Sequence, residues 1–418
     1  MNPQLAVVVL QFIWDQMSSG KAGNARRAKG GSKKKSNAGG GFRLMALITA
    51  IIAALSYFGI GTDKLKELLL GKAEQALTKL EEELKAKAGI TGGTQSGPIR
   101  VYFTTPPGNP ADPNDPAHAV CGYIDAAKQT IDVAGFEVDN KLITEALVKA
   151  TQRGVRVRLV TDTDYINEYG PKTLAAAGVP VVDDKRSALM HNKFMVFDGT
   201  AVWGGSMNFT ENCAYRNNNN GIYLAIPELA ANYSTKFKWM FEDKKFGGKP
   251  SADSRIPNPI VKMPDGTIIE NYFATHDRCA EHLIGVIRET KQTLDFMAFS
   301  FTHKDIGKAV SDRAAAGVKV RGVFEKTQAA GGFSEYGRFQ SLGLSVYLDA
   351  NPRNMHHKVM VFDTTTTVTG SFNFSSNADK SNDENMLIIR NNAGIAKQFE
   401  AEFERVYGAA KGGATGGL

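Results

Sequence analysis

The sequence predicts an α/β fold made of two tandem copies of one unit. Three observations lead there. First, a pattern of six residue types, His191-x-Lys193-x4-Asp198-x6-Gly205-Ser206-x-Asn208, returns 165 residues later as His356-x-Lys358-x4-Asp363-x6-Gly370-Ser371-x-Asn373. At about 5% usage per residue type, one such match has a chance probability on the order of 10⁻⁵. Second, the flanks repeat too. Lys128-Gln-Thr-Ile-Asp-Val133 returns as Lys291-Gln-Thr-Leu-Asp-Phe296, and Gly154-Val-Arg-Val-Arg158 as Gly317-Val-Lys-Val-Arg321, both offset by 163 residues. Third, apolar runs of strand type alternate with stretches of helical spacing, which argues for layered α/β packing.

The first copy reads as follows. Residues 101–104 form a short strand, and 117–129 have helical spacing. Residues 130–135 are an apolar strand of the buried type. An amphipathic helix over 141–152 stops near Gly154, a common C-terminal signal. Residues 155–161 are a strand of mixed polarity. The motif then spans two strands, 193–197 and 201–203, with Gly199 at the turn between them. An aromatic-rich helix closes each copy, over 229–241 and 395–407. The expected domains are 98–245 and 266–410, joined by a Pro/Gly-rich linker over 246–265.

The first 97 residues differ in kind. Residues 1–43 hold eight Lys/Arg and one acid, which equals the +7 net charge of the whole chain. The remainder is balanced, so the high pI says nothing of a nucleic-acid groove in the repeats. This basic segment reads as mostly disordered. Residues 44–60 carry no charge over 17 residues, about 25 Å of helix, and follow basic residues. They are expected to be a transmembrane signal anchor, N-terminus cytoplasmic, with the catalytic region extracytoplasmic. A buried or partner-packing helix is the alternative. Residues 61–90 are expected to be an amphipathic stalk helix, with Leu65, Leu69, Ala73, Ala76, Leu80 and Leu84 on one stripe.

At the two motifs the chain resembles the phospholipase D superfamily, over residues 99–407. The second copy, from His356-His-Lys-Val-Met-Val-Phe-Asp363 to Asn382-Asp-Glu-Asn385, is most similar to the small bacterial endonucleases of that superfamily. The resemblance implies two α-β-α layered domains related by a pseudo-twofold. It also implies one active site at their interface, formed within one chain and needing no oligomer.

The residues fit phosphodiester chemistry. One neutral imidazole attacks phosphorus and forms a phosphohistidine; the other protonates the leaving oxygen and then activates water. Lys193 and Lys358 would hold the non-bridging oxygens, helped by the amides of Asn208 and Asn373 and the hydroxyls of Ser206 and Ser371. No metal or cofactor is called for, since two ammonium groups and two amides replace a cation. Asp198 and Asp363 are expected to stabilise the fold. Spacing does not say which histidine attacks; the resemblance makes His191 the nucleophile and His356 the acid. Glu384 has Asn219 as its first-copy counterpart. A carboxylate beside an imidazole favours its charged form, so Glu384 would make one histidine the more basic, or it marks drift at a tolerant position. His357 should face away from the site. His118, His276, His282 and His303 lack a motif. Cys121, Cys213 and Cys279 form no disulfide framework and leave room for one bond.

The reaction expected is phosphodiester hydrolysis. The substrate is nucleic acid, cut as an endonuclease would, or membrane phospholipid, cut or transferred as a phospholipase D would. A membrane-tethered binding protein that has lost activity is the remote alternative.

Overall fold

A computed structural model describes residues 97–112, 115–248 and 255–415. The basic segment 1–43, the anchor 44–60 and the stalk 61–90 lie outside the described residues. Among the described residues no helix is long and apolar enough to cross a membrane. The expected single-pass, extracytoplasmic placement is overturned on that ground, since nothing described carries it.

The first copy opens with β1 (Ile99–Phe103) and α1 (Pro116–Ala126). Asp115 caps α1 by accepting from the Ala117 amide, and Pro116 supplies the preset φ of a first helical turn. β2 (Thr130–Gly135) follows, then α2 (Lys141–Gln152), capped by Asn140 through the Ile143 amide. The chain continues through β3 (Arg156–Thr161), α3 (Tyr169–Ala176), β4 (Val181–Asp183), β5 (Lys193–Phe197) and β6 (Ala201–Gly205). The copy ends with α4 (Glu211–Tyr215), β7 (Asn220–Leu224) and α5 (Pro227–Phe241).

The second copy repeats this plan with one extra strand, β8 (Ile260–Lys262), before β9 (Ile268–Ala274). β8 falls inside the segment expected to be a linker, because Ile260, Val261 and Lys262 pair antiparallel with β9 and widen the second sheet. Then come α6 (Cys279–Glu289), β10 (Thr293–Ala298), α7 (Lys304–Ala315), β11 (Lys319–Phe324), α8 (Lys326–Ala329), α9 (Tyr336–Ser341) and β12 (Ser345–Leu348). The motif strands are β13 (Lys358–Phe362) and β14 (Thr366–Gly370). The last elements are α10 (Ser376–Lys380), β15 (Glu384–Arg390) and α11 (Ala393–Thr415).

Each copy forms one mixed sheet. The orders are β1-β7-β6-β5-β2-β3-β4 and β12-β11-β10-β13-β14-β15-β9-β8, so the two match strand for strand except at β8. Three apolar clusters fix the layers. One packs α1 and α2 on the outer face of the first sheet, and another packs α6, α7 and α9 on the outer face of the second. The third joins the inner faces of both sheets around α5 and α11. There Tyr233 of α5 meets Phe273 of β9 edge-on at 5.0 Å, and Phe103 of β1 meets Phe399 of α11 at 5.2 Å. Each closing helix thus packs on the other copy's sheet as well as its own, which ties the halves into one body.

The motif aspartates sit in the β5–β6 and β13–β14 turns, away from the interface. Asp198 (φ 51°) accepts from the amides of Lys128, Gln129 and Thr130 at 2.7–2.9 Å. Asp363 (φ 47°) repeats this with Lys291, Gln292 and Thr293 at 2.7–2.9 Å. Each thereby pins the start of β2 or β10 to the turn. The motif glycines have a different reason. Gly205 has φ 120°, and a Cβ there would lie 2.4 Å from the Asn220 carbonyl oxygen. Gly370 has φ 144°, with the Asn385 oxygen 2.3 Å from the same point. Only glycine admits this approach, which presses each motif against the start of β7 or β15.

Candidate active site at the pseudo-twofold interface

The residues just before β5 and β13 carry the histidines, and the opposite half holds each in place. The His191 amide donates to the Asp383 carbonyl at 2.9 Å, and the Asp383 amide donates to the Leu189 carbonyl at 2.8 Å. On the other side the His356 amide donates to the Asn218 carbonyl and the Asn218 amide to the Asn354 carbonyl, both at 2.9 Å. Two short parallel bridges, Met190 with Asp383 and Asn218 with Met355, are therefore the seams that set the imidazoles. Behind the first seam the Lys236 ammonium meets the Asp383 carboxylate at 2.6 Å with both side chains fully buried. Arg186 adds a second contact to Asp383 at 2.5 Å.

Side chains are exchanged across the same seams. His191 Nδ1 lies 2.7 Å from Glu384 Oε2, and His356 Nδ1 lies 3.0 Å from Asn219 Oδ1. The Asn219 amide orientation is set by its Nδ2 donating to the Cys213 carbonyl at 3.0 Å. Its Oδ1 therefore accepts from His356 Nδ1, which leaves His356 Nε2 for the cavity. Glu384 accepts from the Ser371 hydroxyl at 2.6 Å and from the Asn382 amide at 3.4 Å. His357 points behind the site, as its alternation requires, and bonds Asn220 and Glu402.

The lysines flank the imidazoles from below. Lys193 Nζ donates to the His191 carbonyl and Lys358 Nζ to the His356 carbonyl, each at 2.7 Å. Phe136 packs edge-on against His191 at 4.8 Å and beneath the Lys193 ammonium at 5.0 Å. Phe299 does the same for His356 at 4.6 Å and Lys358 at 4.7 Å. These rings shield both cations from water.

Electrostatics follow from this burial. Burial, then Lys193 and Lys358, push the His191 imidazole well below its ordinary range. Burial and the same two lysines lower His356 similarly. Burial lowers Lys193 to about 8, and it lowers Lys358 well below its ordinary value too. Burial raises the Glu384 carboxyl to about 8 against the pull of Lys193. A bound phosphate, being anionic, offsets the surplus of positive charge that depresses the histidines.

His191, His356, Asn208 and Asn373 line one cavity of about 460 Å³ between the halves. Phe136, Glu137, Leu189, Thr210, Asn212, Cys213, Asn217, Phe299, Arg353 and Asn354 complete its wall. Ser206 and Ser371 depart from expectation. Their hydroxyls are committed to Asn219 at 2.9 Å and to Glu384 at 2.6 Å, so they orient the histidines' partners and do not face the cavity. Among the described residues no group of three or more His, Cys, Asp or Glu is placed to hold a metal ion. The three cysteines are free and buried. Sequence reasoning passed over Phe136, Phe299, Glu137, Asn219 as a histidine partner, and Arg353. The phenylalanines left a signal, being aligned at the 163-residue offset just after the repeated strands, and Asn219 left one in its alignment with Glu384.

Two copies of one sheet, each carrying a His–Lys motif and bringing its histidine and asparagine to a shared cavity, define a member of the phospholipase D superfamily. More particularly, the chain belongs to the family described as "Cardiolipin synthase, PLD-like domain", whose model matches residues 120–241 and 283–407. Over 122 residues it is 32% identical to a Chlamydomonas reinhardtii protein named mitochondrial cardiolipin hydrolase, covering 29% of this chain and 55% of that one. Over 116 residues it is 34% identical to a Rickettsia felis protein named phospholipase D, covering 27% of this chain and 58% of that one. The chain thus spans little more than half the length of these curated relatives. In fold it is similar to the crystal structure of phosphatidylserine synthase from Haemophilus influenzae Rd KW20. The TM-score is 0.57 at 13% identity, covering 74% of this chain and 86% of that one.

Proposed function

We propose that this chain is a phosphodiesterase acting through a phosphohistidine, and that its substrate is nucleic acid, cut internally. The chemistry rests on the paired motifs and the family. The substrate rests on one observation. Apart from Leu189 and the two rings packed on the histidines, Phe136 and Phe299, the cavity wall is rich in asparagine, carries one guanidinium and one carboxylate, and includes none of the large exposed apolar side chains Tyr169, Ile260, Phe333, Leu342 and Leu348. A diacyl lipid needs an apolar rim beside the scissile bond; a polynucleotide does not.

The unequal histidine partners support one distribution of roles. His191 Nε2 attacks phosphorus with Nδ1–H facing Glu384, so the carboxylate neutralises the charge that develops on the ring. The bond from phosphorus to the leaving oxygen breaks, and that oxygen takes its proton from His356 Nε2. His356 rests on a neutral amide and so gives up a proton more readily. In the second half-reaction His356 accepts a proton from water, the hydroxide attacks phosphorus, and the bond to His191 Nε2 breaks. Lys193, Lys358, Asn208 and Asn373 hold the non-bridging oxygens throughout. Both histidines come from one chain, so the site needs no second copy.

A second reading is hydrolysis or transfer on a membrane phospholipid. It is favoured by the family description and by the names of the curated relatives, cardiolipin hydrolase and phospholipase D. The test is a paired assay of the full chain in EDTA, offering plasmid, single-stranded DNA and RNA in one arm. Phosphatidylcholine and cardiolipin vesicles make up the other arm. Nucleic-acid cleavage that is lost in both His191→Ala and His356→Ala supports the nuclease. Head-group release with intact nucleic acid replaces it with the lipid reading.

A further inference from the structure

The pseudo-twofold is broken at the cavity wall by charge. On the His191 side the wall carries Glu137, which accepts from the Asn208 amide at 3.1 Å; the matching residue of the second copy is Ser300. On the His356 side it carries Arg353, three residues before the histidine; the matching residue of the first copy is Ala188. A site built only to hold one phosphate between two equivalent histidines has no use for this polarity.

Arg353 has no structural employment for its charge. Its backbone amide donates to Asn351 Oδ1, but among the described residues its guanidinium is in no ion pair. By contrast Arg186, near the opposite seam, is committed to Asp184 and Asp383. A second guanidinium stands close by: Arg216 donates to Asn212 Oδ1 at 3.2 Å, and Asn212 lines the same wall. Asn354 lines the wall between Arg353 and His356 and adds a neutral donor.

We infer that Arg353 is the anchor of a second phosphate-binding subsite, occupied by an anionic phosphate carried on the leaving group. The inference rests on the roles proposed above, because His356 protonates the leaving oxygen and Arg353 lies on the His356 side. Guanidinium binds phosphate through paired charge-assisted bonds. Glu137 repels an anion from the His191 side, so the two charges orient the substrate in one direction. On the nucleic-acid reading the second phosphate is the next one along the strand.

The test separates this subsite from turnover. Binding of 1,3-propanediol bisphosphate and of its monophosphate to the full chain would be measured by calorimetry, in wild type, Arg353→Ala and Arg353→Lys. The bisphosphate should bind more tightly by on the order of tenfold. Arg353→Ala should remove most of that preference, and Arg353→Lys should keep part of it. Equal affinities in the wild type, or a preference that survives in Arg353→Ala, overturn the proposal. Turnover then tests the reading beneath it, with dTpdT against pdTpdT and dTpdTp, and phosphatidylglycerol against cardiolipin. A preference for cardiolipin without dinucleotide cleavage keeps the subsite and removes the nuclease. Cleavage of all three dinucleotides at rates that Arg353→Ala lowers equally keeps the nuclease and removes the subsite.

Discussion

Glu384 of the second half stands 2.7 Å from Nδ1 of His191 in the first, whereas the matching position opposite His356 is Asn219 at 3.0 Å. One histidine pair therefore contains a carboxylate and the other an amide. This difference makes the roles testable through pH. Attack needs Nε2 of His191 unprotonated, so the imidazole–carboxyl pair must first lose its extra proton. Burial raises the Glu384 carboxyl to about 8. With a p-nitrophenyl phosphodiester, whose leaving group needs no proton from His356, wild-type kcat/KM should therefore climb from pH 6 towards 8, since kcat/KM reports the free enzyme. In Glu384→Gln the extra proton sits on His191 alone, which burial and two lysines hold well below 6.5. The acid limb should move to lower pH while the plateau falls at least tenfold, about 1.4 kcal/mol of barrier. An acid limb that stays in place in the variant defeats this assignment.

The alkaline side follows from Lys193. Burial lowers its ammonium to about 8. The protonated form holds phosphate, so binding is present below that value and lost as pH rises through it. kcat/KM should fall above pH 8, with the loss appearing mainly in KM. A profile flat to pH 10 means that the ammonium stays charged in its slot above Phe136.

Much of this was legible in the chain, and the limit has a physical cause. The repeat, the strands and helices around it, and the His and Asn residues lining the cavity are local signals. What stayed hidden is the exchange across the pseudo-twofold. Glu384 was singled out by sequence, but its partner lies 193 residues away, and no periodicity within a strand encodes which of two equivalent histidines it meets. The direction of the Ser206 and Ser371 hydroxyls was hidden for a related reason. The close approach of Gly205 and Gly370 to the neighbouring strands turns those hydroxyls towards Asn219 and Glu384. Arg353 belongs to a cavity assembled from both halves, and a lone arginine in a loop gives no pattern.

The seam behind His191 should be costly to break. Lys236 and Asp383 are fully buried and 2.6 Å apart. Removing one partner of such a pair strands the other, a loss of about 3 kcal/mol. Lys236→Met should lose this in urea unfolding, and Lys236→Met with Asp383→Leu should recover part of it. Because the Asp383 backbone holds His191 and precedes Glu384, kcat should fall too. A single-variant loss below about 1 kcal/mol would mean that Arg186 and the Gly247 amide suffice for Asp383.

The motif aspartates should separate stability from catalysis. Asp198 and Asp363 each accept three backbone amides at the start of a central strand, outside the cavity wall. Those amides hold both carboxyls below the usual range despite partial burial. Alanine removes every acceptor, so Asp198→Ala should lose about 2–3 kcal/mol, counting about 1 kcal/mol per bond. Asn keeps one oxygen and tolerates the left-handed backbone, but its amide faces donors, so Asp198→Asn should fall between. The kcat of the folded fraction should stay within about twofold in all three proteins, because no reacting group is touched. A kcat that collapses in Asp198→Asn while the unfolding midpoint holds would instead place this carboxylate in the chemistry.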